Sequence, residues 1–394
     1  MQRKIALKII YKTISDASFT NLLMRKELEK IEAIERAFVT NIVQGVLKNY
    51  EFLSYNVSLF AKKSDLVNRI IIMMALYERF YLNKEAYAVN NSYVELAKTK
   101  FDKSFVNAVL RKIDKLTYSN IPYIDNSLPE WLYKLLSKQY PDSINAILNN
   151  YHNVHKTYYR LNPHKCTYED LTKYPIEIIK DNIFCCKTNI INTEEFKKGY
   201  FYIQDINAAK LTAVLKLKED DLLLDACSAP GSKLFNCLEV IKDYNAYSND
   251  LNPTRLNLIK QRALLLGYKN VNFINSDASL LDKKLNITFD AIILDVPCSG
   301  LGVIGRKPDI KFHIKPESLD ELQNIGYSIL DNCSKLLKKN GQLLFSTCTL
   351  NKKENSKQVE KFLKTHDNFQ VIKEETIIED YGDLFYYCLL TKTS

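Results

Sequence analysis

Apolar positions in the first third of the chain recur every three to four residues. Ile5, Ile9, Ile10 and Ile14 make one stripe, and Phe38, Ile42, Val43 and Val46 another. That spacing puts side chains on one face of an α-helix. Strand-like alternation is absent there, and the first proline is Pro122. Residues 1 to about 115 are therefore expected to form an all-helical bundle that closes with Phe105-Val106-Asn107-Ala108-Val109-Leu110-Arg111. Ser, Asn, Pro and Asp over 116–128 read as a linker, and Pro129-Glu130-Trp131 opens another helix. In the mixed stretch 151–203, Thr157–Leu161 and Ile176–Ile179 look extended.

From about residue 204 short apolar runs alternate with helical stretches. Leu222–Leu224, Val271–Ile274, Ala291–Leu294 and Leu343–Phe345 read as strands. Lys233–Lys242 and Arg255–Leu266 read as helices, the second closed by Gly267. Phe369–Ile372 and Leu384–Leu390 have no long helix between them and suit an antiparallel pair. The expectation is a multidomain chain: an all-α bundle over 1–120, a small α/β connector over 121–198, and a doubly wound α/β domain with an antiparallel edge over 199–394.

Composition adds class and compartment. At 394 residues, 46% hydrophobic and 26% charged, the chain has the makeup of a soluble globular protein with several cores. Abundant Lys, Asn, Ile and Tyr with little Gly reflect an AT-rich genome. The net charge is +9, and residues 1–120 hold twenty Lys and Arg against twelve Asp and Glu, whereas residues 191–394 balance. A concentrated basic surplus suits a phosphate-backbone partner and equally an ordinary lysine-rich surface. The nine cysteines form no Cys-x-x-Cys framework, which points to free thiols in a cytoplasmic setting. The apolar run Ile70–Leu76 is far short of the ~20 residues of a membrane span. His152, His155, His164 and Cys166 fit no zinc spacing and read as solvated or core residues, so no metal is expected.

The candidate chemistry lies at predicted strand ends, the edge where open α/β sheets bind ligands. Leu224-Asp225-Ala226-Cys227-Ser228-Ala229-Pro230-Gly231-Ser232-Lys233 is a strand, a tight turn and a helix start. It is neither Gly-x-Gly-x-x-Gly nor a phosphate loop. Its small residues admit a cofactor that has no pyrophosphate to cradle. Asp250 follows the next strand, where a carboxylate accepts ribose hydroxyls; Asp277 follows the one after, within reach of an adenine amino group. Two further strands end in Asp295-Val296-Pro297-Cys298-Ser299-Gly300 and Ser346-Thr347-Cys348-Thr349. Amino-group methylation ordinarily uses a polar-Pro-Pro-aromatic loop, but here the loop carries Cys298. Methylating C5 of a pyrimidine instead needs a thiolate to add at C6 and an acid/base partner, roles that two cysteines and Asp295 can fill. Cys185, Cys186, Cys237, Cys333 and Cys388 read as inert buried thiols.

The cofactor turn, the Asp295–Val303 segment with Arg306-Lys307-Pro308-Asp309-Ile310-Lys311, and Ser346–Thr349 with Glu354-Asn355 together resemble the RNA cytosine-5 methyltransferases of the Nop2/Sun class. Gly199 through Gln204-Asp205 resembles the lead-in strand of that domain, and residues 1 to about 111 are similar to the NusB-type RNA-binding fold. Pro129-Glu130-Trp131-Leu132 and Arg160-Leu161-Asn162 match the connecting region. The resemblance spans essentially the whole chain and implies a seven-stranded mixed sheet with helices on both faces. It implies S-adenosylmethionine as cofactor, contacted by Cys227, Ser228, Ala229, Pro230, Gly231, Ser232, Lys233, Asp250, Arg255, Asp277 and Asp295. It makes Cys348 the nucleophile, Cys298 the cysteine that assists release, and Asp295 the acid at the cytosine. Arg160, Asn162, Arg306 and Lys307 are its expected RNA contacts. The implied substrate is a cytidine of 16S rRNA free of the assembled subunit, handled by a monomer with no membrane and no metal. A tRNA cytosine-5 methyltransferase and a non-catalytic antitermination-type factor are the alternatives. The chain departs from the pattern with Ser232 for Gly, Val296 for Ala, Gly305 for a basic residue and Phe312 for Trp.

Overall fold

The helical stripes become α1 (Gln2–Ser15), α2 (Thr20–Leu28), α3 (Ala33–Lys48), α4 (Tyr50–Ser58), α5 (Leu66–Phe80), α6 (Ala86–Val94) and α7 (Lys100–Lys112). This is a computed structural model that describes residues 1–16 and 18–393. It divides into one unit of Met1–Ile144 with Lys307–Lys315, and a second of Asn145–Arg306 with Pro316–Ser394.

In the first unit α5 is the central helix. Ile70–Leu76 are all fully buried, as expected of a helix that is apolar all round. Ile9 and Ile10 of α1 and Ile42, Val43 and Val46 of α3 pack against it. Glu78 on α5 is buried too, and is matched by Arg3 at 2.5 Å and the Tyr93 hydroxyl at 3.0 Å. Thr99 and Asp102 form a capping box that starts α7. The segment Lys307–Lys315 also belongs here. Its Lys311 ammonium is buried and donates to Lys48 O at 3.1 Å, Glu51 Oε2 at 3.1 Å and Ser127 O at 2.5 Å. Asp309 accepts from Thr20 N at 3.1 Å, and the Phe312 ring meets Tyr50 edge-on. A buried ammonium is tolerated where acceptors replace the lost water. Among the described residues no helix is long and apolar enough to cross a membrane.

The second unit holds two sheets. β1 (Tyr158–Leu161), β2 (Ile176–Lys180), β3 (Ile183–Cys186) and β4 (Phe201–Ile203) form an antiparallel sheet in the order β2-β3-β1-β4. β5 (Leu223–Asp225), β6 (Ala246–Asn249), β7 (Asn272–Ile274), β8 (Phe289–Asp295), β9 (Leu337–Thr347), β10 (Phe369–Ile377) and β11 (Phe385–Lys392) form the seven-stranded sheet β10-β11-β9-β8-β5-β6-β7. β5 to β9 pair in parallel, and β11 pairs antiparallel with both β9 and β10. The fold is doubly wound with an antiparallel edge.

The short parallel strands are apolar on both faces because both faces are covered. Leu223, Ile293 and Leu344 pack with Leu234, Phe235, Ile259 and Ala263 on one side. Their neighbours Leu224, Ile292, Leu343 and Phe345 pack with Ile329, Leu330, Val359 and Phe362 on the other. The helix Pro253–Leu266 ends at Gly267, whose φ of +103° is left-handed. The helix expected over 233–242 is shorter, Ser232–Cys237. Leu238–Val240 turn instead, and Glu239 is drawn into an ion pair with Arg160. β9 is longer than its apolar run: Leu337 pairs with Phe289, and after a register shift that leaves Lys338–Gly341 unpaired with β8, pairing resumes at Ala291↔Gln342.

Candidate active site

Register puts the two cysteines side by side. β8 and β9 run parallel with Asp295 opposite Ser346. Cys298 follows shortly after one strand and Cys348 directly after the other, and their sulfurs stand 3.5 Å apart. Both side chains are partly accessible. The contact with Cys348, together with burial and the nearby Glu354 and Asp295 charges, pushes the Cys298 thiol well above its ordinary value.

Beside the thiols, Lys233 Nζ donates to Asp295 Oδ2 at 2.6 Å, and Ser346 Oγ donates to Asp295 Oδ1 at 3.2 Å. Burial opposes the charge on Lys233, but Asp295 and Asp225 outweigh it and hold the ammonium above its ordinary value. The Lys233 ammonium also lies 5.3 Å from the centre of the Phe385 ring.

The turn after β5 is shaped for close approach. Gly231, at φ +97°, starts the helix, and a Cβ there would fall 2.8 Å from the Phe235 ring. Asn249 Nδ2 bridges Ala226 O and Ser276 O, tying together the loops after β5, β6 and β7. Asp250 is buried and accepts from Ala229 N, Asn252 N and Arg255 Nη2, the last at 2.9 Å. Asp277 caps the turn Ala278–Lys283 through Ser279. The structure thus gathers Cys227–Lys233, Asp250, Arg255, Asp277 and Asp295 at one edge, with Cys298 and Cys348 beside them.

That edge fits a nucleoside bearing an amine. Both carboxylate oxygens of Asp225 and the Ser228 hydroxyl are buried without a hydrogen-bond partner among the described residues. Burial pushes the Asp225 carboxyl up to about 7, with the Lys233 charge acting against it. The Ser228 hydroxyl and the Cys227 amide lie near enough to steady the carboxylate but form no well-aligned bond to it, and buried polar groups are ordinarily paired, so the cluster has capacity for a further donor. The sequence places Asp225 in the turn without assigning it a contact. Its position at the end of β5, level with Asp250 and Asp277, was the available signal.

The expected RNA contacts separate. Arg160 makes a two-pronged ion pair with Glu239, at 2.6 and 2.7 Å, with both side chains about nine-tenths covered. Asn162 is buried and donates to Gly199 O and Leu266 O. Both are employed inside the domain: their donors satisfy the domain's own carboxylate and carbonyls. Arg306 is partly exposed and paired with Asp383. Lys307 is exposed and belongs to the other unit. Gly305, the departure from a basic residue, has a steric reason: a Cβ there would lie 2.3 Å from His155 Nε2. Of the cysteines read as inert, Cys185, Cys237, Cys333 and Cys388 are buried, and Cys186 is half-buried.

Residues 212–383 match the family described as 16S rRNA methyltransferase RsmB/F, and residues 1–115 match the NusB family. The chain is 32% identical to the probable ribosomal RNA small subunit methyltransferase B of Bacillus subtilis (strain 168), over 93% of this chain and 89% of that protein. It is 26% identical to the ribosomal RNA small subunit methyltransferase B of Photorhabdus laumondii, covering 99% and 98%. The crystal structure of PH0851 shares the fold at a TM-score of 0.81 and 18% identity, covering 100% and 99% of the two chains. NSun6 from Pyrococcus horikoshii with SFG is similar at a TM-score of 0.59 and 18% identity, covering 68% and 98%.

Proposed function

The chain belongs to the RsmB/F family of 16S rRNA methyltransferases, and from that premise we propose that it methylates C5 of a cytidine in 16S rRNA through a cysteine adduct at C6. The observation that carries this reading is the thiol pair, 3.5 Å apart beside the Lys233–Asp295 bond. S-adenosylmethionine is the cofactor and supplies an electrophilic methyl group when bound. Asp225, Cys227–Lys233, Asp250, Arg255 and Asp277 are the residues that would hold it, the buried Asp225 and Ser228 oxygens taking its donors.

The rest is the work of this chain's own side chains. Cys348 Sγ, as thiolate, adds to C6 and its electron pair passes into the ring, which makes C5 nucleophilic. Asp295 faces the base and is oriented by its bonds from Lys233 Nζ and Ser346 Oγ. After C5 gains its methyl group, a base removes the C5 proton and elimination expels Cys348, restoring the double bond. Cys298 is the proton-handling partner for that release. Its sulfur stands 3.5 Å from that of Cys348, close enough to pass a proton to the departing thiolate. Cys348 is taken as the attacking residue on the match of Ser346-Thr347-Cys348-Thr349 to the family's nucleophile motif.

The basic surplus of residues 1–120 is read as a docking arm for the phosphate backbone, the substrate as rRNA free of the subunit, and the enzyme as a cytoplasmic monomer. A target base must leave its stack to reach the thiols.

The test is a covalent trap. Wild type, Cys298→Ala and Cys348→Ala are incubated with S-adenosylmethionine and 16S rRNA, and a denaturation-resistant protein–RNA adduct is sought. Adduct accumulating in Cys298→Ala and absent in Cys348→Ala supports the assignment. The reverse pattern exchanges the two roles. No adduct and no methyl transfer by wild type overturns the reading for this RNA, and tRNA is the next substrate.

A further inference from the structure

Glu354 lies in the loop beyond Cys348 and is buried. Its Oε2 accepts from Ser299 N at 2.7 Å, and its Oε1 from Ser299 Oγ at 2.7 Å and Asn351 Nδ2 at 2.9 Å. Ser299 directly follows Cys298. Its hydroxyl also shares a 2.7 Å bond with Thr349 Oγ1, and Thr349 directly follows Cys348. Asn355 completes the frame: it accepts from Thr347 Oγ1 at 2.6 Å and donates to Thr349 O at 3.0 Å. Ser299, Thr349, Asn351, Glu354 and Asn355 are all buried.

No lysine or arginine is bonded to this carboxylate among the described residues; its donors are one backbone amide, one hydroxyl and one side-chain amide. Burial raises its proton affinity, against the pull of those bonds. A carboxylate buried with neutral partners is a poor way to gain stability, because desolvation offsets what the bonds return. It is a good way to fix geometry, because a fully satisfied polar network admits one arrangement. The arrangement it fixes is the one that brings the Cys298 and Cys348 loops together.

We propose that Glu354 is a positioning residue for the methyl transfer: by clamping Ser299 to the loop after Cys348, it sets the separation of the two thiols. The proposal rests on the reading of Cys348 and Cys298 as nucleophile and release residue. Glu354 acts on the sulfurs through Ser299 and Thr349. Glutamine has nearly the same volume but one acceptor oxygen, so it turns a donor toward groups that are themselves donors.

The experiment measures the thiol pair without RNA or cofactor. Diamide oxidises two adjacent thiols to a disulfide and is itself reduced to the hydrazine, and peptide mapping reads the Cys298–Cys348 link. Wild type is expected to close rapidly. Glu354→Gln is expected to close about tenfold more slowly, and to lower kcat about 10- to 100-fold with KM for RNA within about twofold. Ser299→Ala removes only the hydroxyl bonds and is expected to fall between the two; it decides the matter if Glu354→Gln does not fold, as judged by its melting curve. Closure within about twofold of wild type in the folded variants overturns the proposal. So does slowed closure with unchanged kcat. Failure of the methyltransferase reading shows separately, as wild type that closes its thiols yet transfers no methyl group, and closure then decides the positioning claim alone.

Discussion

Lys233 Nζ donates to Asp295 Oδ2 across 2.6 Å, fastening the helix that follows β5 to the end of β8. The bond joins the cofactor turn to the loop that carries Cys298. Lys233 is nine-tenths buried and Asp295 is three-quarters buried, and Asp225 bears on the same ammonium. One cation thus serves two carboxylates at the centre of the site.

Replacing Lys233 by Met leaves Asp225 and Asp295 without their counter-charge. The expected outcome is a loss of about 3 kcal/mol in urea unfolding and methyl transfer at least about 100-fold below wild type. The double variant Lys233→Met, Asp295→Asn is expected to recover part of the stability and none of the activity. Equal losses in the single and double variants would contradict the pairing.

Asp225→Asn separates binding from stability. The folded carboxyl titrates at about 7 against an ordinary 3.8. Between those values the folded state keeps a proton that the unfolded chain has lost, so this group's contribution to stability falls as pH rises through the window. The variant is expected to lose that slope and, without cofactor, to gain roughly 1–3 kcal/mol near pH 8 by removing a buried carboxylate that the shared Lys233 charge only partly offsets. It is also expected to bind S-adenosylmethionine at least about tenfold more weakly. Thermal melts from pH 4 to 8 and calorimetric titration check the two halves.

Gly305→Arg supplies the basic residue that the family resemblance implies at this position and is expected to harm this chain. Its Cβ would lie 2.3 Å from His155 Nε2 and 3.1 Å from Asn150 O. A destabilisation of about 1–3 kcal/mol is expected, partly relieved by adding His155→Ala, and a melting series reads it directly.

Truncating residues 1–120 would test the docking arm badly, because Lys311 and Asp309 are bonded to Lys48, Glu51 and Thr20. Charge reversal at the exposed Arg111, Lys112 and Lys115 leaves those bonds in place. It is expected to weaken rRNA binding and to reduce the slope of log K against log salt by about 0.7–0.9 for each phosphate no longer neutralised, with S-adenosylmethionine affinity unchanged. An unaltered slope would remove this face from the RNA path.

The sequence by itself determined what depends on neighbours along the chain. Helical spacing in Ile5–Ile14 and Phe38–Val46, apolar runs at 222–224 and 291–294, Gly267 as a helix stop and the two cysteine signatures are local patterns, and local patterns set local conformation. It also carried the family. Tertiary structure decided what depends on partners far apart in sequence. The parallel register of β8 on β9 brings Cys298 within 3.5 Å of Cys348, fifty residues away. Packing around the sheet leaves the Asp225 oxygens buried without a well-formed hydrogen bond among the described residues, Arg160 is claimed by Glu239 seventy-nine residues on, and Lys307–Lys315 folds with the helical unit. Periodicity says which face of an element is buried; only the packed chain says which polar group meets which, because that depends on distances no run of neighbouring residues contains.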